Sequence, residues 1–392
     1  MLYDIHIKNF RCFSDTKVQG FQRLNLIGGK NNSGKTALLE AVYCCILPIP
    51  QSFLFLKHLR NESYLDSPSD KYWDNLFFNR NNNQLIQITS GYLKFIDHHD
   101  SLPITNSVIV KNLSTSEFDF NNTNIKFLND NFKGKLTGNS RLTIKSESGN
   151  DNWHTEKEYT IIKRHSSDLE IISNQLTSQG ILYKGGTKYQ QKYSQYIEQF
   201  LKQIPVFSPS SLPKISSREL AQYFDLAILN EKSEEILKIL QKLDPSIIEI
   251  RSLNIGEADI YLRREGETFL PISLFGDCFN RVLDIILRLI NTKNSVCLID
   301  EIENGIHYQN QREFWRSLFK LAVELDIQIF ATTHSLEMIK AFADIGLEYP
   351  NEGAYFELAR HEKTNQIVSI KRDLDVLQYS LKHEGGVGLR GE

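Results

Sequence analysis

A short stretch near the start of the chain has the spacing of a phosphate-binding loop. Gly29 is followed, after four residues, by Gly34-Lys35-Thr36, which fits the pattern G-x-x-x-x-G-K-[ST]. In such a loop the backbone N–H groups surround a β-phosphate, the lysine reaches the β- and γ-phosphate oxygens, and the hydroxyl binds Mg²⁺. We therefore predict that ATP and Mg²⁺ bind here. The predicted nucleotide ligands of the loop are Gly29, Asn31, Asn32, Ser33, Gly34, Lys35, Thr36 and Ala37.

Two carboxylates much later in the chain supply the second half of this chemistry. Asp300 and Glu301 follow the apolar run 296–299, which is typical of a buried parallel strand. Phosphoryl transfer needs charge to be neutralised and a water molecule to be oriented. We predict that Asp300 and Thr36 hold the Mg²⁺, with Asp300 binding directly or through water. Glu301 is the predicted catalytic residue that polarises the attacking water.

A histidine and a serine–glycine pair complete the candidate site residues. His334 ends the apolar stretch 327–334, where its imidazole can donate a hydrogen bond to a γ-phosphate, so we predict a catalytic role. The alternative is an ordinary histidine at a strand end. Ser273 and Gly276 stand at the head of a predicted helix, where free N–H groups and a hydroxyl suit an anion. They come too late in the chain for a second phosphate loop of the ordinary kind, which favours contact with the nucleotide of another subunit.

Alternating strands and helices must bring these residues together. A strand pattern leads into the loop, and a helix follows Thr36 until Pro48 and Pro50 end it. The Asn- and Ser-rich stretch 51–205 predicts short strands joined by long, solvated loops. The predicted later strands span 85–96, 104–111, 141–146, 158–163, 247–251, 258–263, 296–299 and 327–334. The predicted later helices span 188–203, two segments within 216–247, 279–291 and 308–325.

The composition predicts a soluble, cytoplasmic protein. The chain has 392 residues and a net charge of −3, so it shows no sign of coating nucleic acid along its whole length. The N-terminus does not read as a signal peptide, and no apolar run reaches the ~18 residues of a membrane helix. Its five cysteines contain no Cys-x-x-Cys pair, which excludes the usual zinc spacing and a disulfide framework.

Five stretches, in this order, resemble the ABC-type ATPase heads of the SMC, RecF and OLD group. The closest resemblance is to the single-chain AAA-type ATP-binding proteins of bacterial defence and toxin–antitoxin systems. It implies an α/β fold: an ABC-type P-loop NTPase head with a mixed central sheet, an antiparallel β subdomain and a helical lobe that carries the signature. The five stretches are IHIKNFRCF (5–13), the phosphate loop (29–36), LPISLFGDCFNR (270–281), CLIDEIENGIHY (297–308) and ATTHS (331–335).

The resemblance also divides the chain into three parts. Residues 1–50 are expected to form the N-terminal part of the ATPase head with its phosphate loop. Residues 51–205 are expected to be a sheet extension and insertion of unknown role. Residues 206–392 are expected to be the C-terminal part of the head, with the signature, the Walker B carboxylates and the switch histidine.

Further roles follow only from the resemblance. Arg11 resembles the arginine that approaches the nucleotide phosphates, although it could be an ordinary surface arginine. Ser273 and Gly276 resemble the signature that contacts ATP across a head-to-head dimer, and 303–307 resembles the D-loop that crosses the same interface. Cys278 stands where relatives have a second glycine. Gln84 and Gln87 are the candidates for the Q-loop residue.

One apparent motif points elsewhere. Asp373-x-Asp375 has the spacing of the metal site in the Toprim domain of OLD nucleases. Only about 58 residues follow His334, fewer than an independent α/β domain needs. We therefore interpret the pair as part of a surface loop and predict no nuclease domain in this chain.

Together these observations predict an ATPase that converts ATP and water to ADP and phosphate. We expect a homodimer or higher homo-oligomer formed through the ATP sites, with no membrane partner. By family analogy, its closing and opening would regulate a separate effector, a nuclease or toxin in antiphage defence. One alternative is a RecF-like repair or maintenance ATPase that binds DNA. The other is an ATP-bound scaffold with slow turnover.

Overall fold

A mixed sheet forms the centre of the molecule. The computed structural model of the chain describes residues 1–60, 73–97, 100–113, 140–150, 153–163, 168–177, 180–190, 207–208, 216–292 and 295–383. The six strands of the central sheet, numbered in chain order, are β10 (Phe207–Ser208), β14 (Val296–Ile299), β15 (Gln328–Thr332), β3 (Leu24–Gly28), β16 (Gly353–Arg360) and β17 (Ile367–Arg372). Neighbours in this order are parallel, except that β17 runs antiparallel to β16.

An eight-stranded sheet, antiparallel throughout, lies beside the central one. Its strands, in spatial order, are β2 (Phe13–Gln19), β1 (Leu2–Phe10), β4 (Ile86–Asp97), β5 (Asp100–Leu113), β6 (Ser140–Asn150), β7 (Trp153–Lys163), β8 (Asp168–Thr177) and β9 (Gly180–Gln190). Each strand from β4 onward pairs with the next one along the chain, so this part of the sheet is a simple meander.

Eight helices of the described residues and a small sheet complete the fold. The small sheet consists of β11 (Ile247–Ile255), β12 (Glu257–Arg264) and β13 (Leu270–Pro271). The helices are α1 (Lys35–Ile46), α2 (Pro50–Leu59), α3 (Ser217–Leu229), α4 (Ser233–Leu243), α5 (Asp277–Ile290), α6 (Gln311–Glu324), α7 (Leu336–Gly346) and α8 (Leu374–His383). Among the described residues, no helix combines the length and apolar composition needed to cross a membrane.

The core lies on both faces of the central sheet. In β15, Ile329 and Ala331 pack with the helical layer that contains α3 to α7, whereas Phe330 packs with the layer that contains α1, α2 and the antiparallel sheet. Successive side chains of a strand point to opposite faces, so a strand covered on both faces exposes neither set of side chains. This explains why β3 and β15 are buried at every residue. The site-bearing ends of these strands are therefore fixed from both sides.

The predicted α/β architecture is confirmed, but the described residues depart from three predicted details. The start of the stretch 51–205, which was predicted to hold short strands and loops, is instead part of the helix α2. Pro50 can begin this helix because proline at the first helical position loses no hydrogen bond. The antiparallel sheet continues through β8 and β9, so the helix predicted at 188–203 overlaps the strand that ends at Gln190, and its remainder lies outside the described residues. The Asp373-x-Asp375 pair does not form a loop but begins α8, where the Asp373 carbonyl accepts the N–H of Leu377.

Candidate nucleotide-binding site

The phosphate loop leaves the end of β3 and enters α1 through a backbone that few residues other than glycine can adopt. Gly29 has a φ of 138° and Gly34 has a φ of 94°. A Cβ added at Gly29 would lie 2.3 Å from the carbonyl oxygen of Leu358 on β16. Because that oxygen belongs to the backbone of a paired strand, it cannot move aside. The loop conformation is therefore specified by tight packing as well as by positive φ.

Lys35 is held inside the loop at the first residue of α1. The residue is 5% exposed, and its Nζ donates hydrogen bonds of 2.8 Å to the carbonyls of Gly29 and Lys30. Burial lowers the pKa of Lys35 to about 8, although nearby carboxylates, Asp300 foremost, act in the opposite direction. A cation with this much lost hydration is stabilised by a nearby anion. The observed placement fits a phosphate ligand.

Thr36 and Asp300 meet although 264 residues separate them. The Thr36 hydroxyl lies 3.1 Å and 3.2 Å from the two carboxylate oxygens of Asp300, which is 4% exposed. The parallel order β14-β15-β3 causes this, because β14 and β3 end at the same edge of the sheet. A hydroxyl and a carboxylate side by side are oxygen ligands of the kind that Mg²⁺ prefers. The predicted pair of metal ligands is thus brought together.

Glu301 follows Asp300 in an unusual backbone conformation. Its φ is 50°, in the left-handed region that residues other than glycine seldom adopt. Its backbone N–H donates a 2.9 Å hydrogen bond to the Thr332 hydroxyl at the end of β15. Its carboxylate, which is half-buried, accepts a 2.8 Å bond from the Asn304 side chain. The turn thereby separates the directions of the two adjacent carboxylates.

His334 lies just beyond β15, as the predicted sensor position requires. It is exposed, and its backbone N–H donates a 2.7 Å hydrogen bond to Oε1 of Glu303. The next residue, Ser335, caps α7 by accepting the N–H of Met338 at 3.1 Å. The strand end and the helix start thus fix the backbone on both sides of the imidazole. Its contact with a γ-phosphate stays a prediction.

The signature residues lie on the surface. Ser273 belongs to the short 3-10 turn Ile272–Phe275, and Gly276, with a φ of 93°, precedes α5. Ser273 and Gly276 are exposed, and Leu274 between them is 68% exposed. The predicted D-loop lies alongside: a Cβ on Gly305 would be 3.6 Å from the Asp277 carbonyl oxygen. Both features that the resemblance assigns to a dimer interface are therefore on one face.

Comparison with known proteins gives this arrangement a family. The family model described as AAA ATPase domain matches residues 1–339. The chain belongs to the AAA ATPase domain family. The predicted resemblance is thereby confirmed, and the α/β fold described above is that of an AAA-type ATPase head.

Individual relatives of the AAA ATPase domain differ widely in how much they share. An ATP/GTP phosphatase of Helicobacter pylori is 25% identical over 356 residues, which are 87% of each chain. The DNA double-strand break repair Rad50 ATPase of Archaeoglobus fulgidus is 45% identical over 42 residues, 11% of this chain and 5% of that protein. Among solved structures, the SMC head domain from Thermotoga maritima has 13% identity and a TM-score of 0.39, over 95% of this chain and 99% of that chain.

Arg11 makes contacts that the sequence analysis did not predict. Its side chain is 9% exposed, so the alternative of an ordinary surface arginine is wrong. Its Nε donates a 2.9 Å hydrogen bond to Glu40, which is fully buried in α1 and also receives Arg60 at 2.7 Å. The phosphate contact predicted for Arg11 stays a prediction, as does a Q-loop role for Gln84 or Gln87, both of which are exposed.

The residues of the loop also fit a phosphate ligand by a separate observation. The Ser33 hydroxyl is buried and has no hydrogen-bond partner within the described residues. A buried hydroxyl normally has a partner, and a phosphate oxygen beside the loop would supply one. Sequence reasoning missed Thr332, which contacts both Asp300 and Glu301. Its place two residues before the predicted sensor histidine was the available signal, but the contact depends on strand register.

Proposed function

We propose that this AAA ATPase domain hydrolyses ATP with Mg²⁺. The observation that carries the proposal is the meeting of the Thr36 hydroxyl with the Asp300 carboxylate, next to a buried Lys35. Lys35 binds the β- and γ-phosphate oxygens, and Thr36 and Asp300 hold the metal. When bound, Mg²⁺ neutralises charge that develops on the phosphate oxygens. The ATP/GTP phosphatase of Helicobacter pylori supports a nucleotide-hydrolysing activity.

Glu301 and His334 perform the remaining steps of the proposed reaction. The Glu301 carboxylate accepts a proton from the attacking water, and its bond from Asn304 sets the direction of the carboxylate. The His334 imidazole donates a hydrogen bond to the γ-phosphate, which makes the site sensitive to the loss of that phosphate. The rigid backbone from β15 into α7 supports this assignment.

We further propose that ATP joins two copies of the chain head to head. The exposed Ser273 and Gly276 of one copy would then contact the nucleotide in the loop of the other. The exposure of Leu274 (68%) and of Tyr308 (60%) on the signature and D-loop face supports this proposal, because apolar side chains on a functional surface favour a protein partner.

The output of this dimer is the last step of the proposal. Closing and opening would regulate a separate effector, a nuclease or toxin in antiphage defence, as the family resemblance suggests. Co-purification from the native host, with and without ATP, tests this step. Recovery of a nuclease or toxin only with ATP is expected. A chain whose hydrolysis is instead stimulated by duplex DNA, with no protein recovered, would contradict the effector proposal and favour a repair ATPase.

Phosphate release by the purified chain tests the catalytic proposal. We expect Mg²⁺-dependent hydrolysis that Lys35→Ala removes, together with an ATP affinity about 10–100-fold weaker, since a charged hydrogen bond is lost. Lys30→Ala is the matched control, because this exposed lysine of the same loop contacts Lys35 only through its backbone carbonyl. Equal losses in both variants, or no hydrolysis by the unaltered chain, would refute the assignment.

A further inference from the structure

Thr332 occupies the point where the two halves of the site meet. It is the last residue of β15 and is fully buried. In the parallel ladder it pairs with Ile27 of β3, two residues before the phosphate loop. The preceding residue of β15, Ala331, pairs with Ile299 of β14, the strand on the other side of β15. Ile299 directly precedes Asp300. The register therefore places Thr332 between the loop-bearing strand and the carboxylate-bearing strand.

The single hydroxyl of Thr332 contacts both candidate carboxylate residues. It donates a 2.6 Å hydrogen bond to Oδ1 of Asp300 and accepts a 2.9 Å bond from the backbone N–H of Glu301. A hydroxyl has one hydrogen to donate and lone pairs to accept, so the two bonds use it in both directions. The Thr332 carbonyl also accepts the N–H of Ile302 at 2.9 Å. Thr332 therefore binds three consecutive residues, Asp300, Glu301 and Ile302.

Each hydroxyl bond has a separate effect on the geometry of the site. The bond to Oδ1 restrains the Asp300 carboxylate, whose two oxygens also lie 3.2 Å and 3.1 Å from the Thr36 hydroxyl. The bond from the Glu301 N–H stabilises a φ of 50°, which is unfavourable for a glutamate. Strained backbone persists where the surrounding structure fixes it, and here a buried side chain does so.

We infer, on the basis of the proposed ATP hydrolysis, that Thr332 is a positioning residue for both Asp300 and Glu301. Through one hydroxyl it sets the rotamer of the carboxylate that holds Mg²⁺ and the backbone from which the catalytic carboxylate projects. Partners that orient a metal ligand contribute to metal affinity and to rate without touching the metal. Loss of the hydroxyl therefore affects Mg²⁺ use and turnover together, and leaves the metal-independent binding of nucleotide unchanged.

Two substitutions at Thr332 test this role in the full chain. Thr332→Val keeps the shape and removes both hydroxyl bonds, whereas Thr332→Ser keeps the hydroxyl. We expect Thr332→Val to lower kcat about 10–100-fold and to raise the Mg²⁺ concentration for half-maximal activity by a similar factor. Its affinity for a fluorescent ATP analogue in EDTA should match that of the unaltered chain. Thr332→Ser should restore both the rate and the Mg²⁺ requirement.

Thr16→Val is the matched control for loss of a buried threonine hydroxyl. Thr16 is 3% exposed and donates a bond of the same length, 2.6 Å, to the carbonyl of Ile367. It should lower the thermal midpoint as much as Thr332→Val, with an unchanged Mg²⁺ requirement. An unchanged Mg²⁺ requirement in Thr332→Val, or an equal shift in Thr16→Val or Thr332→Ser, would overturn the inference.

Failure of the proposed function would give a different set of results. If the unaltered chain binds ATP and does not hydrolyse it, the proposed activity is wrong, while the Mg²⁺-dependent gain in ATP affinity still tests Thr332. That gain should appear at the same Mg²⁺ concentration in the unaltered chain and in Thr332→Ser, and at a Mg²⁺ concentration about 10–100-fold higher in Thr332→Val. An unchanged Mg²⁺ concentration for this gain in Thr332→Val would remove the positioning role.

Discussion

The phosphate loop and the signature turn both lead into a helix through a glycine of positive φ, yet their surroundings are opposite. A Cβ on Gly34 (φ 94°) would lie 2.9 Å from the Cys12 sulfur and 3.0 Å from the Phe13 ring. A Cβ on Gly276 (φ 93°) would have no neighbour within 4 Å. The two glycines share a positive φ and differ in ψ, which is 13° at the packed Gly34 and 169° at the exposed Gly276. The first region is complete within one chain, whereas we propose that the second acts on a second copy.

The largest expected effect comes from blocking the exposed region. Ser273→Arg places a bulky charge on the signature surface and leaves the loop of the same chain unaltered. We expect ATP binding by the monomer to stay within about twofold, because that site lies in the other region. ATP-dependent dimerisation, measured by light scattering, and hydrolysis should both be abolished. Val323→Arg, at a half-exposed position on the outer face of α6, serves as the control for the charge itself.

Mixing two inactive variants tests whether the regions belong to different chains. Ser273→Arg protein keeps a working loop, and Lys35→Ala protein keeps a working signature. If one composite site suffices, the mixture should regain part of the hydrolysis that neither variant shows alone. Loss of ATP binding in the Ser273→Arg monomer would place the signature beside its own loop, and the comparison between the two regions would then fail.

Glu301→Gln tests the catalytic step at the phosphate-loop region of the comparison. The amide keeps the shape of the site but cannot accept a proton from water, so we expect kcat to fall about 10²–10⁴-fold with ATP binding retained. The dimer should then accumulate with ATP, since closure is no longer followed by hydrolysis. Asn304→Ala, which removes only the partner of the carboxylate, should lower kcat by a smaller factor. Turnover of Glu301→Gln at the unaltered rate would assign the base elsewhere.

The two regions also differ in how much of them the sequence reveals. The loop is readable because its glycines, lysine and threonine are close in sequence and their chemistry depends on that spacing. Asp300 is readable because a buried strand precedes it. The contact of Thr332 with both carboxylates is not readable, because it depends on strand register. Arg11 shows the same limit: its buried partner Glu40 is 29 residues away and is seen only when α1 packs against the strand β1.

The fold also contains elements that the local sequence predicts and elements that depend on pairing with distant segments. Apolar periodicity predicts α5 and α6, whose buried faces repeat along the helix. The strands β8 and β9 are not predicted, because polar and glycine-rich segments become strands through pairing with neighbours. The same pairing continues to Gln190 and so includes residues 188–190, the first three of the helix predicted at 188–203.

The smallest expected effect, and the most direct measure of the difference in packing, comes from the two glycines themselves. Gly276→Ala should cost about 1–3 kcal/mol, because its φ of 93° and ψ of 169° lie in a region that is essentially restricted to glycine, although there is open space around its Cβ. Gly34→Ala should cost about 1–2 kcal/mol for its left-handed conformation, plus about 1–3 kcal/mol because Cys12, Phe13 and Ile367 must move to admit the methyl group. The conformational penalties differ, because ψ is 13° at Gly34 and 169° at Gly276, so we expect packing to make the loss at Gly34 the larger one. Denaturant unfolding of both variants measures the two losses, and a loss at Gly34 no larger than that at Gly276 would contradict the difference in packing.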